Sequence, residues 1–150
     1  MIQPKEVRIG NFVEYDGRVF ELYTISEELP CLNTIEFGIG VVDWNNLKPI
    51  PLTAEWLERF GFEKAKNNRY SMPYLRKLED NYRNKILLIP FNEINPEYDK
   101  GTYSVVVSNK SEGVEFSVCI SSVTYVHELQ NTFYALTGTE LTRTELVNQK

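Results

Sequence analysis

The first half of the chain opens with short runs of alternating apolar and polar residues, a pattern typical of β-strands. Two such runs, 7–15 and 18–25, flank the dipeptide Asp16-Gly17. Asp-Gly readily adopts the positive φ angles of a type I′ turn, which connects two antiparallel strands. The pattern therefore predicts a tight β-hairpin.

Two further extended segments are predicted, 36–42 and 47–52, with glycines where a strongly bent strand or a close backbone approach would need them. Small curled sheets have this composition. We therefore expect residues 1–52 to form a small subdomain, either an SH3-like β-barrel or a curled sheet.

A short helix is predicted immediately after this subdomain. Thr53 can cap the first backbone amides, and Gly61 suits the left-handed residue that ends a helix. The spacing turns three large side chains inward: Trp56, Leu57 and Phe60.

The segment that follows, 67–122, is again strand-like, with apolar runs at 86–91, 102–107 and 114–120. Residues 108–113 are rich in turn formers and have the length of a hairpin connection. An antiparallel meander is expected here.

The last predicted element is an amphipathic helix, because apolar residues recur at steps of three and four. Those residues are Val126, Leu129, Phe133 and Leu136. Ser122 or Thr124 can cap its start and Gly138 its end. The short helix, the meander and this helix make up a second subdomain, 53–150, and the fold class is α+β.

Length and composition fit a globular protein: 150 residues, of which 42% are hydrophobic. The chain has no apolar stretch long enough to span a membrane, and its first residues lack the pattern of a signal peptide. We therefore expect a cytoplasmic protein with no membrane partner. Cys31 and Cys119 are expected to be free, buried thiols. No cofactor or metal is expected, and a solvated loop is the favoured interpretation of Glu93, Glu97 and Asp99.

Charge is unevenly distributed along the chain, although the net charge is −5. Between residues 64 and 85, seven cations stand against two acidic residues, which makes this stretch +5. Tyrosines alternate with these cations, and stacking combined with phosphate neutralisation is one way to hold single-stranded nucleic acid. The nucleic-acid or phosphate candidates are Arg69, Tyr70, Tyr74, Arg76 and Lys77. A pI near 5 favours solvated surface cations over this hypothesis.

A second candidate site lies on the terminal helix, where His127, Asn131 and Tyr134 share one side. These side chains can hydrogen-bond a ligand or partner protein, or they can bond the neighbouring backbone. Histidine can also act as an acid or base near neutral pH. The chain contains none of the familiar nucleophile, phosphate-loop or zinc-protease motifs. An enzyme that uses His127 is therefore only an alternative.

Three segments resemble a known family: RIGN at 8–11, IPLTAEWLERFGFEK at 50–64 and YVHELQNTFYALTGTEL at 125–141. They resemble a widespread family of small uncharacterised proteins from Bacteroides-type bacteria and their phages and prophages. The resemblance implies a phage or mobile-element setting and supplies no catalytic residue.

The leading functional hypothesis is a non-enzymatic binding protein that contacts or sequesters a host protein or a small ligand. A nucleic-acid-associated protein that uses residues 64–85 is the first alternative. The high aromatic content, 13%, also suggests a homodimer.

Overall fold

The computed structural model of the protein describes residues 2–26, 30–34, 38–65, 74–77, 84–90, 101–111 and 114–143. Two antiparallel sheets and two helices occupy these residues, so the predicted α+β class is confirmed. In chain order the elements are β1 (Phe12–Tyr15), β2 (Arg18–Thr24), β3 (Cys31–Thr34), β4 (Gly38–Val41), α1 (Ala54–Arg59), β5 (Glu63–Lys64), β6 (Tyr74–Lys77), β7 (Asn84–Pro90), β8 (Tyr103–Ser111), β9 (Val114–Val123) and α2 (Val126–Thr137).

The chain divides into two compact units. Unit 1 comprises residues 1–51 and 125–140, and unit 2 comprises residues 52–124 and 141–150. The sequence pattern placed the terminal helix in the second subdomain, whereas its contacts place α2 in unit 1. Among the described helices, none has the length and apolar character needed to cross a membrane.

The sheet of unit 1 has the order β1-β2-β3-β4, with every neighbouring pair antiparallel. Its first hairpin is confirmed: Tyr15 pairs with Arg18, and Asp16 and Gly17 have φ angles of 48° and 71°. Within the described residues, the outer edge of β1 pairs only through one isolated bridge, between Glu14 and Lys48. The sheet therefore does not close, and an SH3-like barrel is not confirmed.

The core of unit 1 lies on one face of this sheet and includes the segment before β1 and a short 3₁₀ turn, Trp44–Asn46. Its buried members are Ile2, Val7, Val13, Leu22, Leu32, Trp44 and Leu47. Val13 and Leu22 are the alternating inward residues of β1 and β2, as the pleat of a strand requires.

Helix α2 begins and ends within unit 1. The amide of Val126 donates to the carbonyl of Ile50 at 2.9 Å, and Tyr125 rather than Ser122 or Thr124 precedes the first helical residue. The Glu128 carboxylate accepts from the Tyr125 amide at 3.1 Å and so occupies one of the free donors of the first turn. Gly138 ends the helix at a φ of 69°, as predicted.

The buried face of α2 differs from the predicted one at a single apolar position. Val126, Leu129 and Phe133 are buried as expected, but Leu136 is 38% exposed. His127 and Gln130 are buried in its place.

Unit 2 is built on a sheet of order β5-β6-β7-β8-β9, again antiparallel throughout. Helix α1 is capped by the Thr53 hydroxyl, which accepts from the Trp56 amide, and it is followed by Gly61 at a φ of 75°. Both capping predictions are confirmed. The three predicted inward side chains, Trp56, Leu57 and Phe60, are buried.

Both faces of this sheet carry buried apolar side chains. Register places Tyr74 opposite Leu88, and Leu88 opposite Val105, on a face where all three are buried. The other face carries a small buried cluster of Leu87, Ile89 and Val106. Strands β8 and β9 remain paired as far as Ser111 and Val114, so the connection is shorter than the predicted 108–113.

Candidate functional site

The predicted polar side of α2 is used largely for packing within unit 1. His127 is only 3% exposed, and its ring stacks on the ring of Tyr125, with centroids 5.9 Å apart and planes at 8°. Asn131 donates through Nδ2 to the carbonyl of Glu6 at 2.9 Å. Both side chains therefore contact the chain itself. This agrees with the alternative that they serve packing and local hydrogen bonding rather than ligand binding.

Burial lowers the pKa of His127, because desolvation disfavours the imidazolium form. The carboxylates of Glu128 and Glu6 oppose this shift without reversing it. Nδ1 is buried and has no hydrogen-bond partner within the described ranges. A neutral, buried ring of this kind fills space, and a dissolved ligand reaches it only if unit 1 opens.

Tyr134 is the most exposed of the three candidates and lies beneath a cation. The guanidinium of Arg8 sits 3.7 Å from the centre of the Tyr134 ring and pairs with Glu140 at 2.7 Å. These contacts hold the segment before β1 against the end of α2. The Arg8 guanidinium covers one face of the Tyr134 ring.

A buried residue that the sequence analysis missed joins α2 to β1. Gln130 is 1% exposed; its Oε1 accepts from the Phe12 amide at 2.9 Å, and its Nε2 donates to the Gly10 carbonyl at 3.0 Å. Its position between Val126 and Phe133 on the helix is a signal that could have placed it inside. Gln130 is therefore a structural link rather than a binding group.

The basic stretch is described only in part. Arg69 and Tyr70 lie outside the described residues, as does the side chain of Lys77. Glu93, Glu97 and Asp99 also lie outside them. The nucleic-acid hypothesis for Arg69, Tyr70 and Lys77 therefore stays a prediction.

Two of the five nucleic-acid or phosphate candidates, Tyr74 and Arg76, have described side chains, and both are engaged inside unit 2. Tyr74 is buried edge-on against Tyr103, with centroids 6.4 Å apart, and the Lys64 ammonium lies 5.9 Å from its ring centre. Burial raises the pKa of Tyr74, and the nearby Glu58 adds to the shift.

Arg76 is half-buried and donates to the carbonyl of Phe60, at the end of α1. Desolvation lowers the pKa of its guanidinium. A half-buried cation bonded to a helix end stabilises that end, because it complements the carbonyl dipoles there. The hydrogen bond to the Phe60 carbonyl therefore gives Arg76 a structural role that needs no bound phosphate.

The most distinctive exposed surface of unit 2 lies on β9. This ten-residue strand is at the edge of the sheet, and four large apolar side chains at alternate positions are 48–62% exposed. We call these four the β9 stripe: Val114, Phe116, Val118 and Ile120. Alternation places them on one face of the strand.

The register around the β9 stripe continues the sheet face that is buried farther in. Val118 pairs with Val107, and Phe116 pairs with Asn109. Val106 pairs with Cys119 and Val105 with Ser121, so Ile120 stands at a bulge. The same face thus changes from buried at Val105 to exposed at β9.

The opposite face of β9 is polar. Glu115 accepts from the Lys85 ammonium at 3.0 Å and from the Ser108 hydroxyl at 2.7 Å. It is the only charged residue in the strand. Cys119 is a free and exposed thiol, contrary to the expectation of a buried one, and Cys31 is a free, half-buried thiol.

Within the described ranges, no group of three or more His, Cys, Asp or Glu side chains is arranged to hold a metal ion. No protein-family model matches the chain, and neither a curated protein nor a solved structure is significantly similar to it. A function for the chain has to be argued from its own surfaces.

Proposed function

We propose that this chain is a non-enzymatic binding protein that holds an extended segment of a host protein against the outer edge of β9. The observation that carries the proposal is a ten-residue edge strand with four exposed apolar side chains. Natural edge strands are ordinarily protected by charges, prolines or short length. Strand β9 is long, lacks proline and has one charged residue, Glu115, which is already paired.

Strand addition is the binding mode that this surface fits. An added strand satisfies the outward backbone N–H and C=O groups of the edge, and pockets for its alternate side chains supply specificity. The partner segment is expected to carry apolar side chains at alternate positions, so that they continue the β9 stripe. Its other face is expected to be polar, as the face of β9 around Glu115 is.

The other candidate surfaces give less support to a function. His127 and Asn131 contact the chain itself, which argues against a small-ligand site or an acid–base site on α2. Tyr74 and Arg76 are engaged in unit 2, which weakens the nucleic-acid alternative. Neither alternative is proposed.

The resemblance of the segments 50–64 and 125–141 to small proteins of Bacteroides-type bacteria and their phages supports the choice of a host protein as partner. A phage-encoded protein with an open edge strand would sequester its target by pairing with it. This setting is part of the proposal.

The test uses a photo-crosslinking phenylalanine analogue at position 116, introduced into the full chain in cells that carry its gene. We expect adducts with a segment of a host protein, identified by mass spectrometry of the crosslinked peptides. The matched control carries the analogue at Tyr23, which is exposed to a similar degree on β2.

The expected adducts form from position 116, are absent from position 23 and are lost when Val118→Lys is added. The proposed function is overturned if both positions give the same adducts, or if position 116 gives adducts only between copies of this chain.

A further inference from the structure

We infer that, in the free protein, β9 pairs antiparallel with β9 of a second copy, so that two copies form one continuous sheet and mask the binding edge. The inference rests on the proposed function in one respect: it takes the β9 edge to be open to strand addition. Beyond that function, it explains how the β9 edge is protected from pairing with other chains until a partner is present.

The first argument is the exposure of the edge itself. The β9 stripe leaves roughly 400 Å² of apolar side chain in water, within the range of the largest apolar patch on a typical monomer, which is often functional. An edge of this length also presents outward backbone groups. Both features favour pairing with another strand when no partner is bound.

The second argument is register. When two copies of β9 run antiparallel about Ser117, Val114 lies opposite Ile120 and Phe116 lies opposite Val118. All four members of the β9 stripe then face members of the second stripe, and two-fold symmetry repeats each pair. Directly opposed aromatic and β-branched side chains are the pairs that stabilise antiparallel sheets.

The third argument is charge. In this register Glu115 lies opposite Cys119 of the other copy, so the two Glu115 carboxylates do not face each other. Each carboxylate is also held by Lys85 of its own chain at 3.0 Å. Like charges directly opposite would destabilise the pair, and this register avoids them.

A shift of the centre to Cys119 would place Phe116 opposite Ser122 and Val114 opposite Thr124. Only Val118 and Ile120 would then face apolar partners. The register about Ser117 is therefore the one that the side chains favour, and it is part of the inference.

The first measurement is the mass of the full chain by analytical ultracentrifugation over a range of concentrations. We expect a concentration-dependent shift from 17.5 kDa to twice that mass. Val118→Lys should raise the dissociation constant at least about tenfold, because it places an ammonium against Phe116 of the other copy. Val41→Lys is the matched control: Val41 is 61% exposed and Val118 is 60% exposed.

The second measurement fixes the register by disulfide formation. In a chain with Cys31→Ser and Cys119→Ser, the substitution Ser117→Cys should give crosslinked dimers on mild oxidation. Directly opposed residues in antiparallel strands have Cα atoms about 4.5–5.5 Å apart, which a disulfide spans. A chain with only Cys31→Ser retains Cys119 and should stay uncrosslinked, because four residues separate the two thiols in this register.

A single-chain mass at every concentration would overturn the inference, and so would an equal effect of Val41→Lys and Val118→Lys. Crosslinking through Cys119 in preference to position 117 would overturn the register. If the chain is monomeric but position 116 still gives host-protein adducts, the inference fails and the proposed function stands.

Discussion

Replacing Gln130 with methionine should destabilise unit 1 strongly, although the side chain keeps its length and its helix propensity. The change removes the acceptor for the Phe12 amide and the donor to the Gly10 carbonyl, at 2.9 and 3.0 Å. A buried polar group that loses its partner costs about 1–3 kcal/mol. With one buried and one part-buried group losing its partner, and some relaxation, we expect a loss of about 2–4 kcal/mol.

The assay is urea denaturation followed by the fluorescence of Trp44, which lies in the core of unit 1, with Trp56→Phe in both chains to remove the second tryptophan. The matched control is Asn131→Ala at the neighbouring position. Asn131 makes one exposed hydrogen bond, to the Glu6 carbonyl, so the control should cost about 1 kcal/mol or less. The reasoning is refuted if Gln130→Met lies within about 0.5 kcal/mol of the parent, or if the control costs as much.

Three further outcomes are expected from single changes. The lowered pKa of His127 means that the unfolded chain binds more protons, so unfolding free energy should fall as pH drops below about 6.5. His127→Phe should lose that part of the slope, measured as the difference between urea midpoints at pH 7.5 and pH 5; an unchanged slope would contradict it. Gly138→Ala should cost about 1 kcal/mol, because φ is 69° there and a new Cβ meets no described neighbour within 4 Å. Arg76→Gln should lower the stability of unit 2 by about 1.5–3 kcal/mol, because the Phe60 carbonyl loses a charged donor. This loss is measured by urea denaturation followed by the fluorescence of Trp56, with Trp44→Phe in both chains; no loss would assign Arg76 a different role.

Local backbone chemistry explains which parts of the fold the sequence predicts. The Asp16-Gly17 turn, the Thr53 cap and the glycines at 61 and 138 are all observed. Each depends on a few adjacent residues, because φ preferences and capping bonds act within one turn of chain. Such signals can be identified without knowing the rest of the fold.

Closure of the first sheet cannot be predicted from local signals of this kind. A barrel requires the first and last strands to pair, and that pairing depends on residues far apart in sequence. The sequence next to β3 contains no turn dipeptide comparable to Asp16-Gly17. Strand β4 is four residues long and has glycine at two positions. Alternation predicted extended segments here, and it carried no information about which edges would meet.

The buried face of α2 differs from the predicted one by a rotation about the helix axis. At 100° per residue, Gln130 lies about 40° from Val126, whereas Leu136 lies about 80° from it on the other side. Taking Leu136 as buried turned the predicted face away from Gln130 and His127. The buried arc instead includes both polar residues, because the backbone of Gly10 and Phe12 offers hydrogen bonds there.

The β9 stripe illustrates the limit of period-two patterns. Alternation in β9 predicts a strand with one apolar face, and it does not state whether anything covers that face. Sheet order decides this, because β9 is the edge strand and the buried residues of the same face lie on inner strands. At about 25 cal/mol per Å², covering half of the roughly 800 Å² on two copies contributes about 10 kcal/mol. Association itself costs about 4–15 kcal/mol. Self-pairing of β9 is therefore expected to be weak and reversible, which is what a masked binding edge requires, because a tighter dimer would exclude the partner.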